Sequence, residues 1–179
     1  FKDFYDFEPD VIICDKHPNY ESTKFAKTFE KKTIIQVQHH YAHILSTMAE
    51  YDLKKEVLGI AFDGTGYGDD GNIWGGEFFV CDDKKYERAY QFNYFKLLGG
   101  EKAVKEPKRI ALSLLFDSYT KEEIINQKNN VRAAFSNSEI NLMHTMWSRG
   151  LNAPLTSSIG RLFDAVASIA GLYQVQDYE

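Results

Sequence analysis

Cysteine is scarce in this chain, and the two present, Cys14 and Cys81, each sit inside an apolar run that reads as a strand. Such a pair predicts buried free thiols in a reducing compartment, not a disulfide or a metal pair. No apolar run approaches the ~18 residues of a membrane span, and no secretory signal opens the sequence. The cytoplasm is therefore the expected compartment. An excess of positive charge is lacking too: a net charge of −5 and a pI near 5.6 argue against a general nucleic-acid binder. Internal repeats and low-complexity segments are absent. So is a Walker A loop, since no Gly-Lys-Ser/Thr follows Gly64, Gly66 and Gly68. What remains is globular: 179 residues with 44% hydrophobic and 15% aromatic content can bury a sizeable core.

The order of patterns points to an α/β fold. Asp10 to Asp15 is a nearly continuous apolar run, the signature of a strand covered on both faces. His17-Pro18-Asn19 breaks it, and Ser22 or Thr23 is expected to cap a helix reaching about Lys31. The β-branched stretch Thr33 to Val37 predicts a second strand, and Ala42 to Leu53 a helix with its stripe at Ile44, Leu45, Met48, Ala49 and Leu53. Strands are predicted at Val57 to Asp63, Trp74 to Cys81 and Tyr86 to Phe95, separated by the hairpin-like turns Asp69-Asp70-Gly71-Asn72 and Asp82 to Lys85. Strand–helix–strand–helix followed by an antiparallel meander predicts a mixed sheet.

From Glu106 the pattern turns helical. Pro107 suits a first helical turn, Lys121 to Ser136 reads as polar and exposed, and Thr156-Ser157-Ser158 leads into an amphipathic helix that Gly171 stops. These shifts divide the chain into an α/β lobe at 1–100 and a helical continuation at 101–179. It ends at Asp177-Tyr178-Glu179 just after that helix, with no closing strand, and the expectation is a fragment of a longer domain.

Two segments carry chemistry. In Gln38-His39-His40-Tyr41-Ala42-His43, three of the chain's five histidines fall together. His39 and His43 are spaced i,i+4, which on a helix puts both imidazoles on one face, able to grip one metal ion. His40 points elsewhere, toward a supporting role or solvent; His17 and His144 read as surface or hydrogen-bonded residues. The apolar run Val57 to Phe62 then ends in Asp63-Gly64-Thr65-Gly66-Tyr67-Gly68, a carboxylate at a strand end followed by glycines that can turn N–H groups to a phosphate. Asp63 can be a plain turn former or a third ligand. Two imidazoles and a carboxylate with open positions suit Fe²⁺ or Zn²⁺. Gly160-Arg161-Leu162-Phe163-Asp164 reads either as an exposed i,i+3 ion pair or as a helix start set against a nucleotide, with Asp164 on ribose hydroxyls. The aromatics Trp74, Phe78, Phe79, Tyr90, Phe92 and Tyr94 alternate as core strand residues do.

Several segments together resemble the HypF carbamoyltransferase family in order and spacing: Asp15 to Thr23, Val37 to His43, Phe62 to Gly68, Ile73 to Phe78, Gly99 to Ala103, Glu106 to Arg109 and Pro154 to Ala167. The likeness spans nearly the whole chain. It implies a ribonuclease-H-like lobe of the actin/Hsp70 type, incomplete here. It implies that His39, His43 and Asp63 hold a divalent metal together with an aspartate from a later segment. Gly64, Thr65 and Gly66 would then lie along nucleotide phosphates, and Gly160, Arg161 and Asp164 would meet the ribose. Family enzymes use carbamoyl phosphate and ATP to make carbamoyladenylate. They pass the carbamoyl group to the C-terminal cysteine of the partner HypE, toward the cyanide ligands of [NiFe]-hydrogenase. Other readings on the same fold are a small-molecule O-carbamoyltransferase, a non-catalytic module that binds metal or partner, and a sugar-kinase-like ATPase.

Overall fold

The first half of the described chain is built on a parallel strand pair. The structure is a computed structural model that describes residues 8–29 and 31–176; the chain end at 177–179 lies outside the described residues. β1 (Val11–Asp15) runs beside β2 (Thr33–Val37), with Asp15 opposite Val37. Between them α1 (Glu21–Ala26) begins after Tyr20, without a side-chain cap, and stops short of Lys31. Thr23 does not cap it because it lies inside the helix, whose N-cap position is Tyr20. Fully buried, it donates to the Asp15 carbonyl at 3.1 Å and ties the helix to the end of β1.

α2 (His39–Glu50) starts three residues earlier than its apolar stripe suggests. Gln38, extended and fully buried, accepts the Tyr41 N–H on its side-chain oxygen at 2.9 Å and so caps the helix at the histidines. Tyr41, Ile44 and Met48 form the buried stripe. Gly59 of the next strand lies directly beneath it, where a Cβ would come within 2.4 Å of Ile44 Cδ1.

β3 (Val57–Tyr67), β4 (Ile73–Cys81) and β5 (Tyr86–Gln91) form the expected antiparallel meander, with Gly71 at φ +80° in the first hairpin. One expectation is corrected. β3 does not end at Asp63; it runs on to Tyr67, and the register with β4 slips between Phe62 and Gly66. Asp63 to Thr65 therefore form a bulge within a strand, and the turn lies beyond them. The strand expected to reach Phe95 also breaks: it stops at Gln91, and β6 (Phe95–Lys96) pairs instead with β7 (Leu155–Thr156). β7 in turn pairs in parallel with β4 at Ile73, giving a mixed sheet ordered β3-β4-β7-β6 with β5 on β4. Trp74 and Phe79 are core residues as expected, whereas Tyr90 is 73% exposed at the outer strand. Cys14 and Cys81 are both free thiols, the second buried.

Helices follow: α3 (Glu101–Lys105), α4 (Pro107–Ser118), α5 (Lys121–Asn126), α6 (Asn130–Ala133), α7 (Asn137–Arg149) and α8 (Ile159–Ala170). Pro107 occupies the first turn of α4, and Gly171 closes α8 in the left-handed region at φ +81°. The segment Lys121 to Ser136 is not merely polar surface. It folds into α5 and α6, and Ile124, Val131 and, just beyond α6, Phe135 are buried in a core with Leu98, Ile110 and Leu112. Its polar majority concealed that narrow apolar face. Among the described residues no helix is long and apolar enough to cross a membrane.

Candidate functional site

The capped start of α2 and the bulge of β3 bring three donors together. His39 Nε2 lies 3.1 Å from Asp63 Oδ2 and 3.2 Å from His43 Nε2, and His43 Nε2 lies 3.9 Å from the same carboxylate oxygen. Bonds of about 2.0–2.1 Å at tetrahedral angles put ligand atoms about 3.4 Å apart, so these three atoms fit around one divalent ion. His43 is mostly exposed, which leaves one side of the cluster open. His39 lies deeper, with its other ring nitrogen, Nδ1, 2.8 Å from Asp15 Oδ2.

The electrostatics follow from that packing. The Asp63 hydrogen bond, helped by Asp15 and opposed by burial, raises the His39 imidazole to about 9. The same contact with His39, aided by the Gly64 N–H, holds the Asp63 carboxyl down at about 2. His40 goes the other way. Burial first, then the neighbouring His39 charge, pushes it down to about 4, so its ring is neutral near pH 7. Gln38 orients it: the Gln38 amide nitrogen is 3.2 Å from His40 Nδ1 and can only donate, which leaves the ring proton on Nε2. That nitrogen lies 3.8 Å from Asp63 Oδ2 and has no hydrogen-bond partner among the described residues. His40 thus sits fully buried beneath the donors, and the solvent-facing alternative is excluded. Only glycine fits opposite it, since a Cβ on Gly66 would lie 2.4 Å from His40 Cε1.

The bulge is held from the far end of the chain. Ser158, the N-cap of α8, places its hydroxyl 2.7 Å from the Asp63 carbonyl oxygen and 2.8 Å from that of Gly64. The Ser158 hydroxyl oxygen also accepts the Arg161 N–H at 3.1 Å. Gly160 packs so closely that a Cβ there would come 2.9 Å from Gly64 Cα. The Gly64 N–H, expected to face a phosphate, instead donates to Asp63 Oδ1 at 2.6 Å.

A cleft of about 990 Å³ opens beside the donors, with Asp63, Gly64, Thr65, Gly66 and Arg161 on its wall. Arg161 and Asp164 do form the i,i+3 pair, at 3.0 Å, but it is buried, not exposed. Burial raises the Asp164 carboxyl despite the Arg161 charge, and Asp164 itself is not among the cleft's lining residues. The structure therefore gathers His39, His43, Asp63, Gly64, Thr65, Gly66, Gly160 and Arg161, and sets Asp164 behind Arg161.

Two further participants had no role assigned from sequence. Asp15 could have been suspected by the rule that singled out Asp63, since it too is a carboxylate ending an apolar strand. His17 stacks on Tyr20, ring centroids 4.1 Å apart, and the pair lines the same cleft.

Comparison with known proteins identifies relatives of this arrangement. A family model described as the HypF Kae1-like domain matches residues 1–50, and one described as the carbamoyltransferase Kae1-like domain, second subdomain, matches residues 59–179. The chain is 43% identical over 189 residues to the carbamoyltransferase HypF of Synechocystis sp., covering 98% of this chain and 24% of that protein. It is 37% identical to the probable carbamoyltransferase HypF of Methanocaldococcus jannaschii, covering 95% of this chain and 22% of that one. It thus spans about a quarter of the length of these curated relatives. Its backbone matches the crystal structure of full-length HypF in the phosphate- and nucleotide-bound form with a TM-score of 0.88 at 40% identity, covering 99% of this chain and 27% of that one. The match to T. kodakarensis HypF has a TM-score of 0.82 at 38% identity, covering 95% and 24%. The mixed sheet and its helices are accordingly the ribonuclease-H-like arrangement of these domains. On matches to models, sequences and backbones that agree along nearly its whole length, the chain belongs to the HypF carbamoyltransferase family and forms part of its Kae1-like domain.

Proposed function

We propose that this chain carries part of the centre of an S-carbamoyltransferase. That enzyme makes carbamoyladenylate from carbamoyl phosphate and ATP and passes the carbamoyl group to the C-terminal cysteine of a HypE-type partner in the cytoplasm. The product leads to the cyanide ligands of [NiFe]-hydrogenase. The observation that carries the reading is the convergence of His39, His43 and Asp63 on the edge of a cleft large enough for a nucleotide. Membership of the HypF family supports it, as does the phosphate- and nucleotide-bound form of a structural relative.

His39 Nε2, His43 Nε2 and Asp63 would hold Fe²⁺ or Zn²⁺, which when bound supplies Lewis-acid polarisation of the carbamoyl carbonyl. The remaining work falls to groups of the chain itself. Gly64, Thr65 and Gly66 present bulge backbone to the nucleotide, and the absence of a side chain at Gly64 allows close approach. Arg161 brings a guanidinium to the same wall, where a phosphate oxygen is its natural counter-ion. Gly160 lets the start of α8 sit against the bulge, and Asp164 acts on the nucleotide through Arg161. His40, neutral and fixed in one tautomer, turns its Nε2–H toward Asp63.

The test uses the full-length protein that contains this chain. His39→Ala and His43→Ala are each expected to lose bound metal and at least ~100-fold in carbamoyl-phosphate-dependent transfer to the partner cysteine. Transfer that persists after the metal is lost would overturn the reading. Transfer to a small hydroxylated acceptor, with none to the partner, would replace it with O-carbamoylation.

A further inference from the structure

We propose that Asp15 is the positioning residue of the centre, fixing the ring of His39 so that Nε2 faces the other donors. The inference rests on the reading of His39 as a metal ligand. Its Oδ2 lies 2.8 Å from His39 Nδ1 across 24 residues of sequence, while Oδ1 accepts the His17 N–H at 2.7 Å. Each carboxylate oxygen therefore has a separate task. One closes the turn after β1, and the other meets the imidazole nitrogen that faces away from His43 and Asp63. An imidazole that donates from Nδ1 to a carboxylate keeps the Nε2 lone pair free to coordinate. Such partners hold both the tautomer and the plane of the ring.

Asp15 is itself held firmly. It closes the β1–β2 ladder opposite Val37, one residue before the Gln38 cap of α2, and the Lys16 N–H donates to the Val37 carbonyl at 3.0 Å. Its own carbonyl receives the buried Thr23 hydroxyl. The same strand pairing thus sets both the carboxylate and the helix start that carries His39. His43 is arranged differently. Exposed at its side chain, it has its place on the helix to aim it, and its hydrogen bond among the described residues runs from Nε2 to His39.

The two tasks of Asp15 can be separated by Asp15→Asn. The asparagine oxygen still accepts the His17 N–H, so its amide nitrogen is presented to His39 Nδ1. That nitrogen donates, which moves the imidazole proton to Nε2, the tautomer that cannot coordinate. Full-length wild-type, Asp15→Asn and His39→Ala proteins are compared by Zn²⁺ and Co²⁺ competition against a chelating indicator. Thermal unfolding of the metal-free forms and the visible spectrum of the Co²⁺ forms are recorded alongside. The expected result is an affinity about 10–100-fold weaker in Asp15→Asn, a shifted Co²⁺ spectrum, and an unfolding midpoint close to wild type.

Wild-type affinity in Asp15→Asn, with binding abolished in His39→Ala, overturns the positioning role and leaves the metal reading intact. Weaker binding accompanied by an equal collapse of metal-free stability also overturns it, by making Asp15 a structural residue of the turn. A wild-type protein that takes up neither ion overturns the metal reading and this inference with it.

Discussion

The helical half and the sheet half of this molecule hold themselves together by different means. Around α4 to α8 a large apolar interior forms, with Leu98, Ile110, Leu112, Ile124, Ile140 and Ala165 fully buried, although Phe163, Val166 and Ile169 of α8 stay exposed. The sheet half has a smaller interior, centred on Ile44, Met48, Trp74 and Phe79, while Ile13 of β1 and Leu58, Ile60 and Phe62 of β3 are exposed. What steadies it is polar. Glu77, fully buried, accepts the Gly75 and Gly76 N–H groups and the Ser157 hydroxyl, and pairs with Arg88 at 2.5 Å. Arg88 in turn lies 3.9 Å over the Trp74 ring. The candidate site sits on this polar half, held by the Gln38 cap, the Ser158 hydroxyl and the Asp15 carboxylate. Directional bonds define the position of a donor atom more narrowly than apolar contact does, and a metal-type cluster needs that.

Glu77→Ala tests the polar half most severely. It strands Arg88 and three donors, and the expected loss is about 3–5 kcal/mol of unfolding free energy by denaturant titration. The Glu77 carboxyl has a pH signature as well. Burial raises it, but its bonds to Arg88, Ser157, Gly75 and Gly76 prevail and hold it below its ordinary 4.5. Its contribution is therefore complete above that value and is lost as pH falls through the lower folded value. Glu77→Gln is expected to flatten that acid limb.

The apolar half is tested by Leu112→Ala, expected to cost about 2–5 kcal/mol through transfer and cavity. Ile13→Ser, at a residue 69% exposed, is expected to stay within about 0.5 kcal/mol. Equal costs at the two positions would dissolve the contrast between the halves. Ser158→Ala is the most local break. Loss of the cap costs about 0.5–2 kcal/mol, and loosening of the Asp63–Gly64 bulge is expected to weaken Zn²⁺ binding in the same protein, measured by indicator competition.

Much of this was open to reading before any coordinates. The i,i+4 spacing of His39 and His43 placed two imidazoles on one helical face, Pro107 and Gly171 marked a helix start and a helix stop, and the meander followed from alternation and turns. The misreadings share one origin. Asp63 to Gly68 reads as a terminal turn because glycine and aspartate favour turns, whereas pairing with β4 carries the strand onward to Tyr67. Thr23 has the hydroxyl that helix starts favour, but the helix begins at Glu21, and Thr23 inside it donates to the Asp15 carbonyl. In each case a distant partner overrode a local preference.

By itself, the sequence determined what depends on neighbours within a turn or two: the shared face of His39 and His43, the family resemblance carried by ordered motifs, the Pro107 start of α4 and the Gly171 stop of α8. Tertiary structure alone decided that Asp15 meets His39 across 24 residues and that Ser158 grips the Asp63 carbonyl across 95. It alone decided that His40 is buried neutral beneath Asp63. Helix and strand periodicities repeat over a few residues, so spacing can reveal them. Contacts over such separations depend on how the strands pair and the helices dock, and no local period records that.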